Sequence, residues 1–216
     1  MPDIFDEVEE DLRAERARKL AQRWGGVALG VAIVFVAAVG GWQAWRWNQA
    51  REAATAAETY MTLHRASERD GADLATAGNG FAALGREAPA GYRTLARLRA
   101  AALKAETGDL PGALGLWNEV AGDSGADQLY RDLATLLAVT HALDSGDPAQ
   151  LAARIAPLTA AGNPWRASAR EAEALLALRR GATEDARRIL EALVADTSAP
   201  QGVRERAQRV AAGLRS

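Results

Sequence analysis

The chain has 216 residues, with 26 Lys and Arg against 28 Asp and Glu, and no cysteine. The near-balance of charge gives no reason to expect nucleic-acid binding, and the lack of cysteine excludes disulfides and thiolate chemistry. Aromatic residues make up only 6% of the chain, Ala and Leu are abundant, and β-branched residues are sparse outside one apolar run, which favours helix over sheet.

The first 23 residues form a leader that changes from acidic to basic. Seven acidic residues lie between Asp3 and Glu15, whereas Arg13, Arg16, Arg18, Lys19 and Arg23 lie toward its end. That order suits the dipole of a short helix, on which Ile4, Val8 and Leu12 would share a face.

Trp24 to Trp45 is an uncharged run of 22 residues between Arg23 and Arg46. At about 1.5 Å per residue, a helix of this length reaches roughly 33 Å, enough to cross a hydrocarbon core of about 30 Å. It predicts one membrane helix over residues 24–47. Five basic residues precede it, against Arg46, Arg51 and Arg65 in the 20 residues that follow. This bias puts the leader in the cytoplasm and the remainder outside. Trp24 at one end and Trp42, Trp45 and Trp47 at the other read as membrane-interface anchors.

Two readings compete with a retained anchor. A cleaved signal peptide could use the Ala-x-Ala at Ala54 to Ala56, but its apolar region usually spans only about 7–15 residues. The run could also be a buried helix of a soluble protein. No ionisable residue lies inside it, so transport or proton relay has no support. Gly26 with Gly30, and Ala37 with Gly41, would let a second helix approach closely in lipid; the alternative is that glycine is simply common in membrane helices.

Residues 48–216 leave 169 for a soluble domain, enough for a real core. Gly71, Gly108, Gly146 and Gly181 recur there at spacings of 37, 38 and 35. Pro89, Gly125, Pro164 and Pro200 follow them by 18, 17, 18 and 19 residues. Each unit therefore reads helix, tight turn, helix, break, and a period in the mid-thirties is the mark of tetratricopeptide-type hairpins.

In chain order, Tyr92 to Thr107 places Leu95, Leu98 and Ala102 on one face of a helix. Tyr130 to Leu143 is the most apolar segment and is expected to be the most buried helix. Asp147 and Pro148 open the next helix as N-cap and first residue, and Pro157 should kink or shorten it. Ala169 to Arg180 and Glu184 to Val194 form the last pair. Asp196 to Gly202 is a loop, and Val203 to Leu214 a terminal helix covering the last repeat. Gly78-Asn79-Gly80 reads as a helix interruption. The expected fold is all-α: a transmembrane helix, then a solenoid of about four degenerate hairpins with a C-terminal cap over 48–216.

The interior of each unit resembles the tetratricopeptide consensus, which wants a small residue five positions after the turn glycine and a bulky apolar one four later. Ala113 and Trp117 meet it, as do Ala186 and Leu190. The Gly146 unit departs with Leu151, and the Gly71 unit is weakest, with Thr76 and Gly80. The leader IFDEVEEDLRAERARKLAQRWG, the anchor ending in tryptophans and the repeat domain together resemble the YfgM-type membrane-anchored tetratricopeptide family of Gram-negative bacteria. The resemblance implies an inner-membrane, single-pass protein with a periplasmic repeat domain, ancillary to the Sec translocon. It also implies work beside a membrane-anchored periplasmic chaperone on exported client proteins.

Candidates for chemistry are few. His64 and His141 have no ligand partners at metal spacing, and Glu68 four after His64 makes an ordinary helix-face pair. Gly78-Asn79-Gly80 lacks the context of a phosphate loop, and no Ser, His and Asp share a nucleophile setting. No cofactor, metal, catalytic residue or small-molecule substrate is expected.

What remains is a surface. In tetratricopeptide arrays the first helix of each pair lines a concave groove. By register with the turn glycines, that face holds Leu95, Leu98 and Ala102, then Leu133, Leu136 and Thr140, then Glu171, Leu175 and Leu178. An apolar groove can take an amphipathic helix or unfolded segment. The bland alternative is that these leucines are core. Two functions fit the same parts: a translocon-associated scaffold, or a scaffold for another envelope machine such as outer-membrane assembly, cell division or wall synthesis. A membrane-bound hydrolase would need a nucleophile and base placed together, and none is apparent.

Overall fold

The computed structural model describes the backbone of residues 4–214, and side chains from residue 18 onward except 20, 21, 25 and 28. The expected shared face of Ile4, Val8 and Leu12 therefore lies outside the described residues. The chain divides into two compact units, Met1–Glu52 and Ala53–Ser216. Among the described residues all regular structure is helical.

The first unit consists of the N-terminal part of α1 (Ile4–Ser67). Within α1 lies a stretch long and apolar enough to cross a membrane, with none of it buried. Val27, Leu29, Val31, Ile33, Val34, Phe35 and Val36 are each 57–69% exposed. Large aliphatic side chains left this bare do not belong to a core helix of this chain, which argues against the buried-helix reading.

The second unit takes the end of α1 and then α2 (Leu74–Glu87), α3 (Ala90–Glu106), α4 (Leu110–Gly122) and α5 (Gln128–His141). It continues with α6 (Pro148–Ile155), a 3-10 turn (Ala156–Thr159), α7 (Arg166–Arg179), α8 (Thr183–Ala195) and α9 (Gln201–Gly213). The end of α1 packs on α2 through Tyr60 and Leu63 against the cluster of Phe81, α3 pairs with α4, α5 with α6 and α7 with α8, and α9 closes the array against α8. Instead of one central core there are successive clusters. Phe81, Ala96, Ala100 and Leu103 form one, and Ala113, Trp117, Val120 and Ala134 the next. Val139, Ile155 and Leu176 anchor a third, and Leu190, Leu193, Val203 and Ala207 a fourth. The first three clusters each join one hairpin to its neighbour and the fourth joins the last hairpin to α9, as a solenoid with a terminal cap requires.

The turns follow from a few side chains. Gly108 sits at φ 86°, a conformation a Cβ disfavours, and the next residue, Asp109, caps α4 through the Gly112 N–H at 3.0 Å. Asp147 accepts from the N–H groups of Ala149 and Gln150 at 2.9 and 2.8 Å, with Pro148 opening α6. α6 stops at Ile155 and tightens into the 3-10 turn that contains Pro157, because proline cannot donate the next helical hydrogen bond.

Three expectations are corrected. Gly78-Asn79-Gly80 does not interrupt a helix but lies inside α2. Its glycines serve close packing: a Cβ on Gly78 would meet the Leu103 Cβ at 3.4 Å, and one on Gly80 the Leu63 Cδ2 at 2.7 Å. The Gly71 unit is not the weakest. Its turn is one residue longer, so the N-cap is Asp73, two after the glycine. Counted from the cap, Ala77 and Phe81 take the small and bulky places, 7% and 0% exposed, matching Ala113 and Trp117 after Asp109. Finally, α5 is not the most buried helix; it buries four residues whereas α7 buries five. The reason is position, since α7 packs against α5, α6, the 3-10 turn, α8 and α9 whereas α5 packs against α4, α6 and α7.

Side-chain hydrogen bonds step across the array at one repeat length. Trp165 Nε1 donates to the Leu129 carbonyl at 3.0 Å and Arg154 to Asn118 Oδ1 at 2.7 Å, each 36 residues apart. Arg179 donates to the carbonyls of Leu143 and Gly146 and so closes the α5–α6 turn.

The cap carboxylates make stability pH-dependent. Hydrogen bonds from the Thr76 hydroxyl and N–H hold Asp73 below its ordinary pKa. The Lys104 ammonium and the Gly112 N–H do the same for Asp109, and the Ser198 hydroxyl and N–H for Asp196. A carboxylate whose folded pKa is depressed stabilises the fold above its unfolded value and loses that contribution as pH falls through the folded one. Thermal melts followed by circular dichroism are therefore expected to hold steady from neutral pH to about 5 and to shift down below about 4. A melting temperature unchanged at pH 3 would remove these caps from the account of stability.

Candidate protein-binding groove

The first helices of successive pairs carry short residues toward their neighbours and longer ones beside them. On α3, Ala96, Ala100 and Leu103 are buried, Leu95 and Leu98 are half-buried, and Ala102 is exposed. On α5, Ala134 and Ala138 are buried, while Leu133, Leu137 and Thr140 are half-buried. On α7, Ala172 and Leu176 are buried, and Glu171, Leu175 and Leu178 are half-buried. Alanine permits close helix approach on the contact side, which leaves the leucines one helical step away as a partly covered shoulder.

Leu136 differs from the other expected groove residues. It is 6% exposed and packs in the cluster with Val139, Ile155 and Leu176, so it belongs to the core. Its edge still reaches a pocket of about 400 Å³ between α5 and α7. Leu137, Thr140 and Leu143 form one wall, Ser168, Ala172 and Leu175 the other, with Glu171 and Arg206 at its charged end. The pocket thus gathers Leu136, Thr140, Glu171 and Leu175 from the expected face, whereas Leu95, Leu98, Leu133 and Leu178 lie outside its lining.

Arg206, on α9, is the residue that sequence reasoning missed. Its Nε donates to Glu171 Oε1 at 2.6 Å and its Nη2 to Oε2 at 2.7 Å, a two-pronged pair across 35 residues. Glu171 is 15% exposed and Arg206 50%. The Glu171 hydrogen bonds hold the Arg206 guanidinium above its ordinary pKa, fixing its charge and orientation. A separation of one repeat length between opposite charges was the available signal.

The Thr140 hydroxyl donates to its own helix, to the Leu137 carbonyl at 3.0 Å. His64 lies 3.2 Å from Glu68 one turn along, and the His141 ring packs on Trp117 with centroids 4.6 Å apart. Among the described residues no group of three or more His, Cys, Asp or Glu could hold a metal ion. A hollow of about 500 Å³ between α8 and α9 is larger, but it contains none of the expected face.

In the first unit, Trp24, Trp42, Trp45 and Trp47 are each 56–60% exposed. The Arg46 guanidinium lies 5.1 Å from the Trp42 ring centre and that of Arg51 4.2 Å from the Trp47 ring. Gly26, Gly30 and Gly41 have open space where a Cβ would stand, and Ala37 is exposed.

A family model described as a tetratricopeptide repeat-like domain matches residues 18–208. No curated protein and no solved structure matches the chain.

Proposed function

We propose, from the premise that this chain belongs to the tetratricopeptide repeat-like domain family, that it is a membrane-anchored scaffold whose repeats hold other proteins. Domains of this kind generally mediate protein–protein contact. The observation that carries the reading is the set of half-buried leucines on α3, α5 and α7, of which Leu137 and Leu175 line the pocket between α5 and α7. A solenoid with an uncovered apolar shoulder suits capture of a helix or an unfolded segment. The family match begins at residue 18, ahead of the apolar run, so that run and the repeats fall under one description.

The finer reading follows the resemblance to the YfgM type. Residues 1–23 are a cytoplasmic leader, 24–47 a retained anchor in the inner membrane, and 48–216 a periplasmic domain. The four tryptophans seat the helix at the two interfaces, and Gly26, Gly30, Ala37 and Gly41 offer a face to a neighbouring membrane helix. The scaffold works beside the Sec translocon, recruits a membrane-anchored chaperone and handles exported chains.

Photo-crosslinking from positions between Trp47 and Glu58 in native membranes tests this. Adducts with translocon subunits are the expected result. Adducts only with assembly, division or wall-synthesis proteins would move the scaffold to another envelope machine. Because the chain has no cysteine, single cysteines placed in the leader and on α8 report sidedness through a membrane-impermeant maleimide. Labelling of the leader alone in sealed spheroplasts would reverse the proposed topology.

A further inference from the structure

We infer that the pocket between α5 and α7 takes an amphipathic helix from a partner protein, one with two bulky apolar residues four apart and an acidic side chain that meets Arg206. The inference rests on the groove reading above and adds the chemistry of the partner.

Size and lining give the apolar part. One wall runs from Leu136 on α5 to Leu143 in the turn after it, and its helical part, Leu136 to Thr140, spans about 6 Å at 1.5 Å per residue. Side chains four apart on a partner helix stand about 6 Å from each other, so both enter one pocket of about 400 Å³.

Charge gives the acidic part. Both Glu171 oxygens already accept from Arg206, and Glu171 is only 15% exposed. Arg206 is 50% exposed, and Nη1 takes no part in that pair. A Cβ built on Gly202 would stand 3.6 Å from Nη1, in ordinary van der Waals contact. The charge presented to solvent at the pocket's end is therefore positive, although the pair itself is neutral. A guanidinium already aligned by one carboxylate loses little freedom on meeting a second. A basic partner residue would meet the same positive edge and be repelled.

The test uses the full chain in detergent and three labelled helical peptides, each with leucines four apart, that differ only in bearing Glu, Gln or Lys at one position a turn away. By fluorescence anisotropy the Glu peptide is expected to bind about threefold to fivefold more tightly than the Gln peptide, and the Lys peptide weakest. The Glu preference should shrink in high salt. It should vanish in Glu171→Gln/Arg206→Gln, which keeps a neutral hydrogen-bonded pair; if that variant does not fold, the peptide ranking in the native chain and its salt dependence decide. Equal binding of the Glu and Gln peptides, lost in Leu175→Glu, would overturn the acidic partner and leave the groove in place. Absence of binding by all three would overturn both.

Discussion

Trp117→Ala is expected to lower the stability of the repeat domain by about 3–5 kcal/mol, the range for removing a large buried aromatic ring. Trp117 is 1% exposed and is the largest fully buried side chain among the described residues. It lies with Ala113 and Val120 of α4 and Ala134 and Ala138 of α5, while Leu98 of α3 packs on the same cluster. Ala101, Ala113, Ala134 and Ala138 of the cluster are too short to refill the space the ring would leave. Its Nε1 is buried with no hydrogen-bond partner, so Trp117→Phe loses volume but no hydrogen bond and is expected to be clearly milder. Urea denaturation of the full chain in detergent, followed by circular dichroism, measures both. Because repeats depend on their neighbours, the alanine variant should also split one transition into two. A loss below about 1 kcal/mol would mean that this cluster is not where the repeats are joined.

The second large effect separates core from groove with one substitution at two sites. Leu136→Glu is expected to destabilise the domain by more than about 3 kcal/mol, since it places a carboxylate in an apolar cluster without a partner. Leu175→Glu, on the half-buried side of the same pocket, is expected to stay within about 1 kcal/mol of the native chain, because its carboxylate can reach water. Leu175→Glu should also abolish the crosslinks or peptide binding that report partner capture. Melting curves with a capture assay on both variants check the pair. If Leu175→Glu unfolds the domain as Leu136→Glu does, the pocket wall is core and no docking site remains.

Much of the architecture is legible in local chemistry. Glycine and proline punctuation marked four hairpins and a terminal helix, because turns need residues that are conformationally unusual. Asp147 with Pro148 located the start of α6, because unsatisfied N–H groups need a short acceptor. The register of each second helix is set by its N-cap and not by the turn glycine. In the first unit of the array, one extra turn residue moved Ala77 and Phe81 out of the counted register. At Gly78-Asn79-Gly80, glycine in isolation suggests a break, but close contact with Leu63 and Leu103 explains it.

The site was less legible. Helical periodicity on α3, α5 and α7 pointed to an apolar face, of which Leu136, Thr140, Glu171 and Leu175 line one pocket while Leu95, Leu98, Leu133 and Leu178 lie outside it. It could not divide that face into the buried Leu136 and the half-buried Leu175, since both satisfy the same spacing. Nor could it bring Arg206 to Glu171. By itself, then, the sequence determined an apolar helix long enough to span a membrane and a train of helical hairpins, since both are matters of length, periodicity and local backbone preference. Tertiary structure alone decided which leucines became core, which stayed on the shoulder of a pocket, and which arginine guards its end. Burial and ion pairing depend on neighbours about one repeat away, and local periodicity holds no information about those.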